Sequence, residues 1–231
     1  MATPGPASTS ARALAREQLT ATILRTARDQ LASVGPAQLS VRAVAREVGM
    51  VSSAVYRYFP SRDELLTELL VACFDEVGAE VEAAAASVDR SDHLGRWLAI
   101  AHAFRAWSVA HPYDFALLYG SPVPGYAAPA RTIGPAGRPP RLIVDLVADQ
   151  VRAGVEVTPA ATDSPDLHTA LAGIRTWADD DLPDESVLLA LRAWGGLIGA
   201  LTLELFGHLT NALDDHETYF DAAARRIAPL I

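Results

Sequence analysis

The sequence predicts an all-α chain organised as two domains. Apolar residues recur at helical spacing in one segment after another, and no run of alternating β-branched residues is long enough for a strand. Capping residues and Gly/Pro breaks then cut the chain into helix-sized pieces. The predicted architecture is an N-terminal three-helix domain with a helix-turn-helix, followed by a larger C-terminal helical domain. At 231 residues, half of them hydrophobic, the chain can bury a sizeable core.

Residues 1–15, rich in Pro, Ser, Ala and Gly at the start, read as a disordered arm without the pattern of a signal peptide. A helix is predicted from Arg16 to Val34, with Leu19, Ile23, Leu24, Ala27 and Leu31 on its apolar side and Gly35-Pro36 stopping it. A second runs from Ser40, a plausible N-cap, to Val48. Gly49 then supplies a turn position without a Cβ. A short third helix covers Ser53 to Tyr58 and ends at Pro60. Ser61 and Glu64 form a capping box for a long helix reaching about Ser87. The expected domains are 16–60 and 61–231, with the boundary inside that long helix rather than in a flexible linker.

Further helices are expected at Asp92–Ala110, broken by His111-Pro112, and at Tyr113–Tyr119. The stretch Gly120–Pro140 has six prolines and four glycines and reads as a loop. Helices follow at Arg141–Ala153, Asp166–Trp177, Pro183–Leu209 and Ala212–Ile227, with a break over Gly154–Pro165.

Cys73 is the sole cysteine, which excludes an intramolecular disulfide and a cysteine-rich zinc site and fits a cytoplasmic protein. No segment reads as a transmembrane helix. All 19 Lys/Arg positions are arginine, and with the abundant alanine this suggests a GC-rich genome. The net charge of −9 is unevenly spread. Residues 12–62 carry eight Arg against Glu17, Asp29 and Glu47, a net +5, while the rest of the chain carries −14. That asymmetry is expected when only one end meets phosphate.

Two short helices joined at Gly49 fit a helix-turn-helix. Val41, Val44, Ala45 and Val48 supply its packing, and Ser52, Ser53, Ala54, Tyr56 and Arg57 are presented by the second helix. Small and hydrogen-bonding residues near the start of such a helix suit entry into the major groove. Arg62 sits in the first turn of the next helix, where backbone amides also attract an anion.

The run from Val44 to Leu65, with Tyr56, Tyr58 and Phe59 followed by Pro60, a basic residue at Arg62 and Leu65, resembles the signature of the TetR family of bacterial transcriptional regulators. The resemblance covers about residues 16–66. It implies a homodimer that docks two recognition helices into a palindromic operator. It also implies DNA contacts from Ser40, Arg42, Ser52, Ser53, Tyr56, Tyr58 and Arg62, to which the spacing adds Arg57. Two residues depart from the family pattern. Arg62 stands where the family usually has lysine, and Val51 stands where a capping serine or threonine is common, which leaves Ser52 to cap the recognition helix one residue later.

Gly195, Gly196, Gly199 and Gly207 lie in the apolar pattern of Pro183–Leu209, and each mid-helix glycine costs about 1 kcal/mol relative to alanine. Close helix–helix approach offsets such a cost. By resemblance the last two helices form a dimer interface, with Gly195, Gly196, Gly199, Leu203, Phe206, Tyr219 and Phe220 as its expected residues. Trp194, Gly199, Leu203, Glu204 and Leu205 also resemble a Trp-His-Gly subgroup of the family, with Ile198 at the histidine position. Trp97, Phe104, Trp107, Tyr113, Phe115, Tyr119, Trp177 and Trp194 concentrate in the C-terminal domain as candidates to line a pocket for a small apolar effector. His102, Arg105 and His168 are its polar candidates. Large aromatics are also the usual core residues, so core and pocket both remain open for each of them.

No catalytic motif, cofactor signature or phosphate loop is present. His102 and His111 lie nine residues apart at poor angular register for a shared metal, and Asp179–Asp181 is a charge run before a helix. The expectation is a ligand-released repressor without enzymatic activity, cofactor, metal or membrane partner. The rival reading is a helical small-molecule-binding protein without specific DNA binding.

Overall fold

The computed structural model describes residues 11–155, 165–177 and 182–229, and every regular element among them is helical. The first helix, α1 (Ala11–Val34), begins five residues before its expected start. Ala, Arg, Leu, Glu and Gln in its opening turns are strong helix formers and outweigh the breakers that precede them. A 3₁₀ turn (Pro36–Gln38) leads to α2 (Val41–Glu47) and α3 (Ser52–Val55). Then come α4 (Arg62–Ala86), α5 (His93–Ala110) and α6 (Pro112–Tyr119). A second 3₁₀ turn (Ala130–Thr132) opens α7 (Ile133–Arg152), followed by α8 (Pro165–Arg175), α9 (Asp184–Leu205) and α10 (His216–Ile227). Asp179–Asp181 and the centre of the 154–165 break lie outside the described residues.

Two sequence expectations are corrected along the way. Gly120–Pro140 is not one loop, because α7 starts at Ile133 and carries Pro139 and Pro140 inside it. An interior proline removes a helix hydrogen bond, but both rings are buried. Arg138 also fastens this turn to α4, donating to both carboxylate oxygens of Glu82 at 2.8 and 2.6 Å and to Asp75 at 2.9 Å. Burial and these bonds offset the lost backbone pairing. The glycine-rich helix is also shorter than expected. α9 ends at Leu205, and Gly207 follows with a positive φ of 76° as its terminator.

The chain divides into two units within α4. One takes the residues through Ala72 together with Ser121–Pro129, and the other takes Cys73–Gly120 with Ala130 onward. The N-terminal unit buries Ile23, Ala27 and Leu31 of α1 together with Val41, Val44, Val55, Phe59, Leu65 and Leu66. The Ser121–Pro129 segment is tied to it by a 2.8 Å bond between the hydroxyls of Tyr126 and Thr67.

In the C-terminal unit, α4 contributes Cys73, Val77, Val81 and Ala85, one residue per turn, to a core shared with α5, α7, α9 and α10 and with Phe115 of α6 and Leu171 of α8. Trp97 is fully buried and donates its indole N–H to the carbonyl of Ala224 at 2.8 Å, locking α5 to α10. The buried carboxylate of Asp149 on α7 receives Arg90, Arg96 and Arg152, each with a contact at 2.6 Å. Burial alone would raise the pKa of Asp149, but the bonds from Arg90 and Arg96 outweigh it and hold the carboxyl below its ordinary range. By length and composition alone α9 could cross a membrane, with a mean hydropathy of 1.6 over its most apolar stretch, but its run without a charged residue between Arg192 and Glu204 falls well short of the roughly 20 residues a span needs. A third of that apolar stretch is buried within the chain.

Candidate functional site

The helix-turn-helix is built by local capping. Ser40 is the N-cap of α2, its Oγ accepting from the amide of Ala43, while its own amide donates to Gln30 of α1 at 2.8 Å. α2 ends with Gly49 at φ 71°, and the amide of Met50 closes back on the carbonyl of Ala45 at 2.8 Å. Only the left-handed conformation at Gly49 makes this closure and turns the chain toward α3.

Val51 is the N-cap of α3, and no side-chain bond caps it. This corrects the expectation that Ser52 takes over as cap with the helix starting one residue later. Ser52 is already the first helical residue, and the amide of Ala54 is satisfied by the backbone carbonyl of Val51 at 2.9 Å. Neither the Ser52 nor the Ser53 hydroxyl is therefore used in capping. Ser53, Arg57 and Arg42 are exposed, and Tyr56 is 39% exposed. Tyr58 is half-buried, with the Arg16 guanidinium 5.2 Å from its ring centre.

Arg62, an expected phosphate contact, is also engaged within the fold. Its guanidinium donates to the carbonyls of Pro36 at 2.7 Å, Ala37 at 3.2 Å and Leu39 at 3.2 Å. Pro36 also accepts from the Leu39 amide at 3.4 Å, and a forked cation can serve several carbonyls at once. Arg62 thus positions the turn that leads into the Ser40 cap. Ser61 does cap α4, accepting from the Glu64 amide at 3.0 Å.

The aromatic residues of the C-terminal unit separate into groups. Phe104, Phe115, Tyr119 and Trp194 form one edge-to-face cluster with centroid distances of 5.3–6.5 Å, with Phe74 and Phe206 at its margins. The Tyr119 hydroxyl and the Trp107 indole N–H are sealed from solvent and have no hydrogen-bond partner among the described residues. Burial pushes the Tyr119 phenol above its ordinary pKa, so it stays neutral. Trp97 is bonded into the core as above, and Trp177 is half-buried beside α7.

Several expected pocket residues stand elsewhere. Tyr113 is 57% exposed, because it follows Pro112 on the outer side of α6. His168 is exposed and reaches Asp184 at 3.2 Å. His102 pairs with Asp221 at 3.0 Å on the surface. Arg105 makes a two-pronged pair with Glu204 at 2.7 and 3.0 Å.

The expected interface residues also divide. Gly195, Gly199, Leu203 and Phe206 recur along one exposed side of α9, and a Cβ added at Gly195 or Gly199 would meet nothing within 4 Å. Tyr219 is half-buried. Gly196 and Phe220 are corrections. A Cβ at Gly196 would lie 3.2 Å from Ile227, so its close approach is to α10 of the same chain. Phe220 is 1% exposed, packed against His102 and beneath the Arg105 guanidinium at 5.4 Å. Sequence periodicity could not tell a neighbour in the same chain from one in a second copy.

Residues 23–69 match the family described as bacterial regulatory proteins, tetR family, and residues 97–227 match the tetracyclin repressor-like C-terminal domain. The chain is 40% identical over 220 residues to the HTH-type transcriptional regulator Rv1816 of Mycobacterium tuberculosis, covering 94% of each. The same figures hold for the HTH-type transcriptional regulator Mb1846 of Mycobacterium bovis. Among solved structures, regulatory protein SCO4313 superposes with a TM-score of 0.77 at 35% identity, over 94% of this chain and 98% of that one. A tetR family transcription regulator from a Shewanella species shares the fold, with a TM-score of 0.60 at 19% identity. This chain belongs to the TetR family of helix-turn-helix transcriptional regulators, and is a regulator rather than an enzyme.

Proposed function

We propose that the protein is a cytoplasmic, homodimeric repressor that binds a palindromic operator and is released from it by a small apolar effector. The observation that carries the DNA-binding half is the pair of serines at the start of α3. Val51 leaves them outside the cap, and their hydroxyls can then serve base edges or phosphates alongside Tyr56 and Arg42. Tyr58 and Arg57 border the same surface.

The dimer is supported by α9. A helix of this hydropathy with a third of its apolar window buried needs a further apolar neighbour. Open space over Gly195 and Gly199 lets a second backbone approach, with Leu203 and Phe206 beside it. A second copy of α9 fits this better than lipid, since Arg192 lies exposed on the same side. The likeness of Trp194, Gly199, Leu203, Glu204 and Leu205 to the Trp-His-Gly pattern supports, on this reading, a C-terminal domain of that subgroup.

The effector reading rests on the aromatic cluster around Tyr119. An apolar enclosure with an unpartnered hydroxyl suits a mostly apolar ligand that carries one hydrogen-bonding group. Release would follow if the ligand favours a state in which α4, a single helix shared by both units, is displaced. A gel-shift with DNA from upstream of the protein's own gene tests the repressor. Specific retardation, competed only by the same duplex, is expected. Uniform weak binding to any duplex would favour the rival, a ligand-binding protein without specific DNA recognition.

A further inference from the structure

We propose that the N-terminal unit carries a second DNA-backbone site beside the recognition helix, a phosphate-binding groove formed by Arg12 and Arg16 of α1 with Arg57 and Tyr58 at the end of the helix-turn-helix. The proposal rests on the DNA-binding reading and extends it to residues that precede the family match, which begins at residue 23.

The groove has a volume of about 720 Å³, and three of its lining residues are arginines while none is acidic. Arg12 and Arg16 are one helical turn apart and share a face of α1. Arg57 and Tyr58 come from the end of the helix-turn-helix, directly after α3. Like charges gathered in one concavity repel each other, and a bound anion removes that cost.

Many arginines elsewhere are spent within the fold: Arg62, Arg90, Arg96, Arg105, Arg138, Arg152, Arg175 and Arg225 donate to carboxylates or backbone carbonyls. Arg42, Arg46, Arg141, Arg192 and Arg226 are unpaired among the described residues, but none of them lines this groove, where three such cations share one concavity. Among the described residues, Arg12, Arg16 and Arg57 have no carboxylate partner. Arg16 is held instead by the Tyr58 ring, which orients its guanidinium without neutralising it. Guanidinium forks in this state match the paired oxygens of a phosphodiester. Because Arg57 and Tyr58 adjoin the recognition helix, the phosphates served are those flanking the half-site. The contact adds affinity and register but no base preference.

The test uses the full-length protein, an operator duplex that it selects from a random-sequence library, and an unrelated duplex of equal length. Binding is measured across salt concentrations for the wild type, for the double variant Arg12→Gln/Arg16→Gln, for the double variant Arg12→Lys/Arg16→Lys and for the control Arg25→Gln. The glutamine pair should weaken both duplexes by the same factor, about tenfold or more near physiological salt. It should also flatten the plot of log affinity against log salt by about 0.9 for each phosphate no longer neutralised. The lysine pair should keep most of the slope, and Arg25→Gln should change neither quantity. Wild-type affinity and slope in the glutamine pair, or an equal loss in Arg25→Gln, would overturn the groove while leaving the regulator reading intact. A loss confined to the selected duplex would overturn its phosphate character. Failure of the wild type to select any duplex would overturn the regulator reading and the groove with it.

Discussion

The two units use polar side chains in opposite ways. In the C-terminal unit the strong charges are paired inside the structure, as in Arg96 with Asp149 and Arg105 with Glu204. In the N-terminal unit Arg42, Ser53, Tyr56 and Arg57 are left exposed around α3, while Arg62 and the capping serines Ser40 and Ser61 are spent on the fold. Unfulfilled polar groups gathered at a surface mark where another molecule is to be met, while fulfilled ones mark where the protein holds itself together. Exceptions inside the C-terminal unit include the sealed indole N–H of Trp107 and the sealed hydroxyl of Tyr119, unpartnered among the described residues, and the latter sits where the effector is proposed to bind.

The largest effect that sharpens this contrast is expected at Asp149. Replacing it with alanine strands Arg96, which is 8% exposed, and should cost the C-terminal unit about 3–5 kcal/mol, read as a fall in the urea midpoint. The same carboxylate sets a pH dependence. Its folded pKa is depressed, so its stabilisation is complete above the unfolded value of about 3.9 and is lost as pH falls through the folded one. Asp149→Asn should accordingly flatten the acid limb of the stability curve. A variant as stable as the wild type would mean that the paired charges do not hold this unit.

Next in size is Arg62→Ala, expected to cost the N-terminal unit about 2 kcal/mol by releasing three carbonyls, with faster amide exchange over α2. Lysine at this position should recover only part of it, since a point charge cannot span the three acceptors. If Arg62→Ala instead lowers DNA affinity with no change in exchange, Arg62 belongs with the exposed cations after all.

These two residues also show what the sequence could and could not reveal. The helix-turn-helix was legible because its determinants are neighbours in the chain. Ser40 caps three residues on, Gly49 turns its own loop, and the Tyr56–Leu65 pattern is contiguous. The part that Arg62 plays in the fold is not legible in the sequence, because its acceptors lie 23–26 residues away. In the C-terminal unit the deciding contacts span farther still, 99 residues for Arg105 with Glu204 and 127 for Trp97 with Ala224. Helical spacing identified the apolar side of each helix there but not its neighbour. Gly196 and Phe220 were therefore assigned to a second copy when they face α10 and α5 of the same chain. The groove at Arg12 was hidden for a different reason, since α1 begins where composition suggested a disordered arm.

A smaller effect is expected at Tyr119. Phenylalanine there removes a buried hydroxyl that has no partner, so Tyr119→Phe should stabilise the ligand-free protein by about 1 kcal/mol in thermal unfolding. A loss of stability would show that the hydroxyl is hydrogen-bonded in solution, and the strongest sign of an effector site would go with it. The smallest effect is at Val51. Val51→Ser restores a side-chain cap to α3 and should add about 0.5–1 kcal/mol to the N-terminal unit without weakening DNA binding. No gain would mean that the exposed start of α3 is already satisfied by other means.

The central claim is that the exposed face of the helix-turn-helix reads a specific operator. Genome-wide footprinting of the full-length protein tests it most directly. The account predicts a small set of protected sites sharing an inverted repeat, with each half-site protected in the major groove and protection abolished by Ser53→Asp, which sets a carboxylate against the phosphates. Protection spread evenly over the genome, or specific sites that the Ser53→Asp variant still protects, would contradict it.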